Sequence, residues 1–241
     1  MKTKYIFIGI AVVALVGVGI VAYPNLLSNT GFSPQTEGII VKDKKLTENT
    51  PPFIVDISYP FIEGNDDFNV KVKEIIDEEL TAFKKSAQDN DNAIKETDPE
   101  SYTSYPREYN LTITYMKGQA DQEMVSTLFG IYKYEGGAHG INYFAALNYD
   151  VQNKKKLTLA DVFKGNSNYL QEVSDFTKQE LEKQMQEKLG SLEGTWVQDG
   201  AGPQAENFSA FLVNKDNITF YFAPYQVAPY AAGNFEVVMP K

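Results

Sequence analysis

An uncharged and mostly apolar run occupies residues 5–23, with Lys2 and Lys4 on its N-terminal side. A helix of that length rises about 28 Å, close to the hydrocarbon thickness of a bilayer, so the run is expected to span a membrane. A cleaved signal would have a shorter apolar region, about 7–15 residues, and small residues before the cut. Here the nearest candidate cut, after Ala22, puts Ile20 three residues back, which fits poorly. The two lysines place the N-terminal stub inside and everything after Tyr23 outside. Residues 24–52 lack sustained periodicity and read as a linker, with a short strand expected at 38–41. The expected organisation is therefore an anchor or signal at 1–23, a linker at 24–52 and an extracytoplasmic domain at 53–241.

Within that domain, residues 53–62 (FIVDISYPFI) are rich in strand formers, and Pro60 demotes them to an edge or bent strand. Val72, Ile75, Ile76, Leu80 and Phe83 recur at helical spacing with charges between them, which predicts an amphipathic helix starting near Asp67 or Asn69. Residues 89–101 are polar and read as a loop or frayed helix end. Strands follow at 109–117 and 125–134, expected to form an antiparallel hairpin, and at 143–151, with a turn at Asn153 and Lys154 leading into 157–159. A short helical turn is expected at 158–163. A longer helix at 168–189 carries an Asn168–Gln171 capping pair, a stripe of Leu170, Val173, Phe176, Leu181, Met185 and Leu189, and Gly190 just past its end. Residues 190–203 read as flexible. A hairpin at 208–213 and 218–222, an aromatic loop at 225–233 and a closing strand at 235–239 complete the chain. Runs of strands joined by hairpins predict an α+β domain, an antiparallel sheet with two main helices packed on it.

Composition narrows the function. The chain is 43% hydrophobic with 15 Tyr and 15 Phe, ample for a core. Beyond Tyr23 it carries 20 basic and 32 acidic residues, a net charge of −12, which argues against nucleic acid as a partner. The absence of cysteine excludes a disulfide framework, a thiolate metal site and a cysteine nucleophile. A lone histidine, His139, removes most support for histidine-based metal sites and triads, and no cofactor is expected.

Three stretches remain as candidates. The first is Gly136-Gly137-Ala138-His139-Gly140 (GGAHG), between two strands, where glycines permit a tight turn. His139 there is compatible with a general base or ligand position, and equally with a turn in which its ring bonds backbone. The second is 223–233 (APYQVAPYAAG), whose Tyr225 and Tyr230 suit stacking on sugars or anchoring a protein, or packing back onto the sheet. The third comprises the acidic clusters at 66–67, 77–79 and 89–91, which read as solvated faces, with a cationic ligand as the sharper alternative. Asp150, Asp161 and Glu206 are carboxylates that sequence alone cannot pair for glycosidase-type chemistry. No serine-hydrolase or zinc-peptidase motif occurs in the chain.

Taken in order, GGAHG, then Asn148-Tyr149-Asp150, then 157–163 (LTLADVF), then Glu206-Asn207-Phe208, then 220–222 (FYF) leading into 224–233 (PYQVAPYAAG), resemble one extracytoplasmic domain family. It is that of the anti-sigma-V factor RsiV, also found before the catalytic domain of the peptidoglycan deacetylase PdaC. The resemblance implies an α+β outer-surface domain which, in RsiV, receives lysozyme, a cationic protein that an acidic domain suits. It implies neither an anti-sigma role, since only Met1 to Lys4 would lie inside, nor deacetylase activity, since the deacetylase domain follows this module in that relative. The expectation is a membrane-anchored binding domain without catalysis, single-pass and extracytoplasmic, or secreted if the signal is cleaved. Its partner would be a lysozyme-like protein. The alternative is a peptidoglycan-binding accessory module, with Tyr225, Tyr230 and Trp196 against sugars. The expected ligand-binding residues are Gly136, Gly137, His139, Tyr225 and Tyr230.

Overall fold

A computed structural model describes residues 38–104, 107–190 and 195–241. The expected membrane span at 5–23 lies outside them, and no described helix is long and apolar enough to cross a membrane. The chain first forms β1 (Lys42–Thr50), β2 (Phe53–Phe61), β3 (Tyr109–Ala120), β4 (Met124–Tyr134), β5 (Ile141–Asp150) and β6 (Lys155–Lys156), which lie in that order in one six-stranded sheet. A second sheet has the order β7 (Phe211–Val213), β8 (Asn217–Phe222), β9 (Phe235–Pro240).

The larger sheet is mixed, which corrects the wholly antiparallel expectation. β2 and β3 run parallel, Phe53 beside Tyr109, while every other pair is antiparallel. A parallel pair needs a crossover, and α1 (Asp66–Thr97) with α2 (Pro99–Ser104) supplies it. The linker expected up to residue 52 is likewise corrected: Lys42–Thr50 is a full strand, paired from Lys42 opposite Phe61 to Thr50 opposite Phe53. Its sequence, KDKKLTENT, is polar because β1 is the sheet's outer edge, where charges discourage pairing with another chain. No strand forms at 38–41, although the Ile39 N–H donates to the Ala120 carbonyl at 3.1 Å. β2 is interior rather than an edge. Pro60 is tolerated because β2 pairs with β3 only from Phe53 to Ile57, so the proline falls beyond that ladder.

α1 begins after Asn65, whose side chain accepts the Phe68 N–H at 3.1 Å, and buries Phe68, Val72, Ile76, Phe83 and Ala87 against the large sheet. It runs to Thr97, through most of the polar stretch expected to be a loop or frayed helix end. Helix persists there because tertiary contacts hold it: the hydroxyls of Tyr102 and Tyr109 both donate to Asp91. α3 (Leu159–Val162) is the expected short turn, so Leu159 is helical and the preceding strand is only Lys155–Lys156. α4 (Tyr169–Leu189) ends as expected on Gly190, at φ 72°. The Asn168–Gln171 capping pair does not form, and Gln171 donates instead to Asp175 at 2.8 Å. α5 (Trp196–Gly200) and a 3-10 turn at Ala205–Phe208 occupy ground expected to be flexible or strand. The two main helices thus serve different sheets, α1 the larger and α4 the smaller, where Val173, Leu181 and Met185 meet Phe220, Phe235 and Val237.

A buried polar bridge joins the sheets. Ser126 on β4 donates to Asn148 on β5 at 2.5 Å, Asn148 donates to the Phe211 carbonyl at 3.1 Å, and the Val213 N–H donates to Ser126 at 2.8 Å. All four residues are buried, so each bond is strong and each unmade bond costly.

Candidate functional site

The GGAHG stretch is the loop between β4 and β5. Gly136 and Gly137 have φ of +102° and +95°, values that L side chains rarely adopt, so their role is to make the turn. The base of the hairpin is pinned to α1. Asn90 donates to the Glu135 carbonyl at 2.7 Å, Ser86 to the Glu135 carboxylate at 3.1 Å, and Lys133 pairs with Glu79 at 2.6 Å. Tyr143 on β5 also donates to Glu79. Burial and that carboxylate push the Tyr143 phenol well above its ordinary value.

The second candidate stretch is fixed by its central glutamine. Gln226 donates to the carbonyls of Gly200 at 3.0 Å and Asn207 at 2.9 Å. A Cβ on Gly200 would stand 1.8 Å from the Gln226 carbonyl oxygen, so only glycine allows α5 to approach this loop so closely. Asn207 in turn donates to the carbonyls of Asp199 at 2.9 Å and Gly202 at 3.1 Å. Val227 and Ala228 are buried beneath, while Tyr225 adopts φ 70° and is 54% exposed.

These two stretches, 90 residues apart, meet. The Tyr230 ring lies 4.2 Å from the His139 ring at 26°, its hydroxyl donates to the Gly140 carbonyl at 3.1 Å, and the Tyr225 ring stands 5.4 Å away at 35°. Because the Gly140 carbonyl can only accept, its 2.9 Å contact fixes the proton on His139 Nδ1 and leaves Nε2 as the acceptor of the neutral ring. His139, Tyr225 and Tyr230 thus form a ledge of rings, with Tyr225 and His139 outward and Tyr230 half-buried between them. Of the five expected site residues, these three come together, and Gly136 and Gly137 shape the turn behind them. Trp196 opens α5 and is exposed.

The carboxylates held open for catalysis have other work. Asp161 closes the cap of α3, accepting from the Thr158 hydroxyl at 2.7 Å and its N–H at 2.8 Å, which with Lys155 holds its pKa at about 2. Asp150 is lowered by the Asn153 side chain and N–H that it accepts at the following turn. Glu206 is exposed on the 3-10 turn. Asp150 and Asp161, so lowered, stay ionised near neutrality and make poor general acids. Among the described residues, no group of three or more His, Asp or Glu side chains could hold a metal ion.

Two inward-facing clusters escape the sequence pattern. Glu79 sits in an acidic run that reads as a solvated face, yet it pairs with Lys133 at 19% and 12% side-chain exposure. Asp91, in another such run, takes the hydroxyls of Tyr102 and Tyr109. The helical period is the available signal, since Glu79 follows Ile75 and Ile76 on the face turned to the sheet.

Comparison with known proteins follows the same division. Residues 42–142 match the family model described as "Deacetylase PdaC", and residues 160–241 match that of a "Protein of unknown function (DUF3298)". The peptidoglycan-N-acetylmuramic acid deacetylase PdaC of Bacillus subtilis is 28% identical over the whole of this chain, which spans 49% of that protein's length. The immunogenic protein MPT64 of Mycobacterium tuberculosis is 24% identical over 64% of this chain and 66% of its own. A crystal structure of a DUF3298 family member from Bacteroides fragilis superposes with a TM-score of 0.58 at 19% identity, covering 85% of this chain and 91% of that one. The chain is thus similar to PdaC over its first part and to DUF3298 over its second, in a fold shared with a solved DUF3298 protein.

Proposed function

We propose that this chain is a non-catalytic binding module of the cell envelope, held at the membrane by residues 5–23, whose His139–Tyr225–Tyr230 ledge stacks on peptidoglycan sugars. The convergence of three rings from two distant stretches carries this reading, because exposed aromatic faces held by a rigid frame offer contact area at small entropy cost. The likeness over the whole chain to a protein named as a peptidoglycan deacetylase favours sugar over the lysozyme-like partner that the resemblance to RsiV put first. Lysozyme-like protein remains the second reading, favoured by the net charge of −10 on the whole chain, which would attract a cationic partner.

The two separate by salt and by mutation. Sugar stacking responds little between about 50 and about 300 mM salt, whereas charge-driven protein binding weakens over that range. The experiment is titration of the full chain with soluble peptidoglycan fragments and with a c-type lysozyme at both salts. Saturable, salt-insensitive sugar binding that Tyr225→Ala weakens is the expected result. Salt-sensitive binding of lysozyme alone would replace the sugar reading by the protein one.

A further inference from the structure

A second cluster faces an open cleft beside the C-terminal half of α1. Both oxygens of Asp91 are engaged by tyrosine hydroxyls, Oδ1 by Tyr109 at 3.0 Å and Oδ2 by Tyr102 at 2.9 Å. Arg107 approaches the same carboxylate only to 3.9 Å, beyond hydrogen-bond reach, and its Nε is buried without a hydrogen-bond partner. Its guanidinium lies 5.0 Å from the Tyr102 ring centroid, and its side chain is only 18% exposed. A cleft of about 530 Å³ opens here, walled by Pro51, Pro52, Asp91, Tyr102, Thr103 and Ser104 around Arg107. The hydroxyls of Thr103 and Ser104 are engaged by the Glu100 carbonyl, at 3.0 and 2.8 Å, which leaves the Arg107 guanidinium as the side-chain donor on the cleft wall.

A buried donor without a partner is costly, and a guanidinium placed over an aromatic ring matches one planar oxyanion through two parallel bonds. We infer that Arg107 anchors a second ligand site, distinct from the aromatic ledge, that binds the carboxylate of a peptide or of a small acid. Carboxylate fits better than phosphate. Asp91 stays close enough to repel a second negative charge, and phosphate carries nearly two near neutrality. The proline and tyrosine walls accommodate the apolar part of an N-acylated amino acid. This site stands independently of the sugar reading.

The test is titration of the full chain with N-acetylalanine and, separately, with inorganic phosphate, followed by heteronuclear NMR. Saturable shifts with N-acetylalanine are expected, weakened roughly tenfold or more both in Arg107→Gln and in Arg107→Lys, since lysine keeps the charge but loses the fork. Asp91→Asn, which removes the competing charge, strengthens binding several-fold. Sugar binding at the ledge and the thermal midpoint stay unchanged in Arg107→Gln, separating this site from the other and from folding. No saturable shift with N-acetylalanine, or equal affinity in wild type and Arg107→Gln, overturns the site. Tighter binding of phosphate overturns the carboxylate assignment.

Discussion

Tyr225 sits at φ 70°, a left-handed conformation that costs a non-glycine residue on the order of 1 kcal/mol, and its ring is more than half exposed. A tyrosine kept in a strained, solvent-facing position contributes little to stability, which is why its ring is assigned to binding. Tyr225→Gly relieves the strain, so its melting temperature stays level or rises while sugar affinity falls about tenfold, roughly 1.4 kcal/mol. Thermal melting and titration of the same variant check both halves. Gly200 gives the opposite case. Gly200→Ala drives a Cβ against the Gln226 carbonyl and destabilises by about 1–3 kcal/mol, measurable by denaturant unfolding, by displacing the loop that carries the ledge. The tyrosines and His139 were legible as candidates because their residue types stand out. The anchoring by Gln226 and Asn207 was not, because an amide that bonds distant carbonyls leaves no periodic trace.

At the scale of elements, local pattern specifies those whose contacts are local. α4 follows from its apolar stripe and Gly190, and the β3–β4 hairpin follows from two strand-forming runs with a short turn. β1 was hidden because Leu46 is the only apolar residue among its nine and leaves no alternation to read, and the second half of α1 because its helix rests on contacts made far along the chain. The cap of α3 yields a pH-dependent prediction. Asp161 is lowered from 3.8 to about 2, so the folded state favours the carboxylate. Its contribution is complete above the ordinary aspartate range and is lost as pH falls through about 2. The slope of melting temperature against pH in that window should flatten in Asp161→Asn, measured by pH-dependent thermal scans. A slope identical to wild type would show that the cap does not stabilise the fold.

At the scale of the molecule, the residues behind the family resemblance divide into frame and surface. Asn148, Asp161 and Asn207 bind backbone or caps, and Tyr230 with His139 faces outward. The bridge through Ser126 and Asn148 carries the junction of the two sheets, so Asn148→Ala leaves the Ser126 hydroxyl and the Phe211 carbonyl without this partner. A loss of about 2–4 kcal/mol is expected by denaturant unfolding, with sugar affinity unchanged in the folded fraction. The mixed topology was not legible because the parallel pairing of β2 with β3 joins residues more than fifty positions apart, and local patterns record only the strands themselves.

The measurement that bears most directly on the central claim is calorimetric titration of the full chain and of Tyr225→Ala with soluble peptidoglycan oligosaccharides, at about 50 and about 300 mM salt. The ledge predicts saturable binding by the wild type, nearly equal at the two salts, and about tenfold weaker in the variant. No saturable binding, or the same affinity in both proteins, would contradict it.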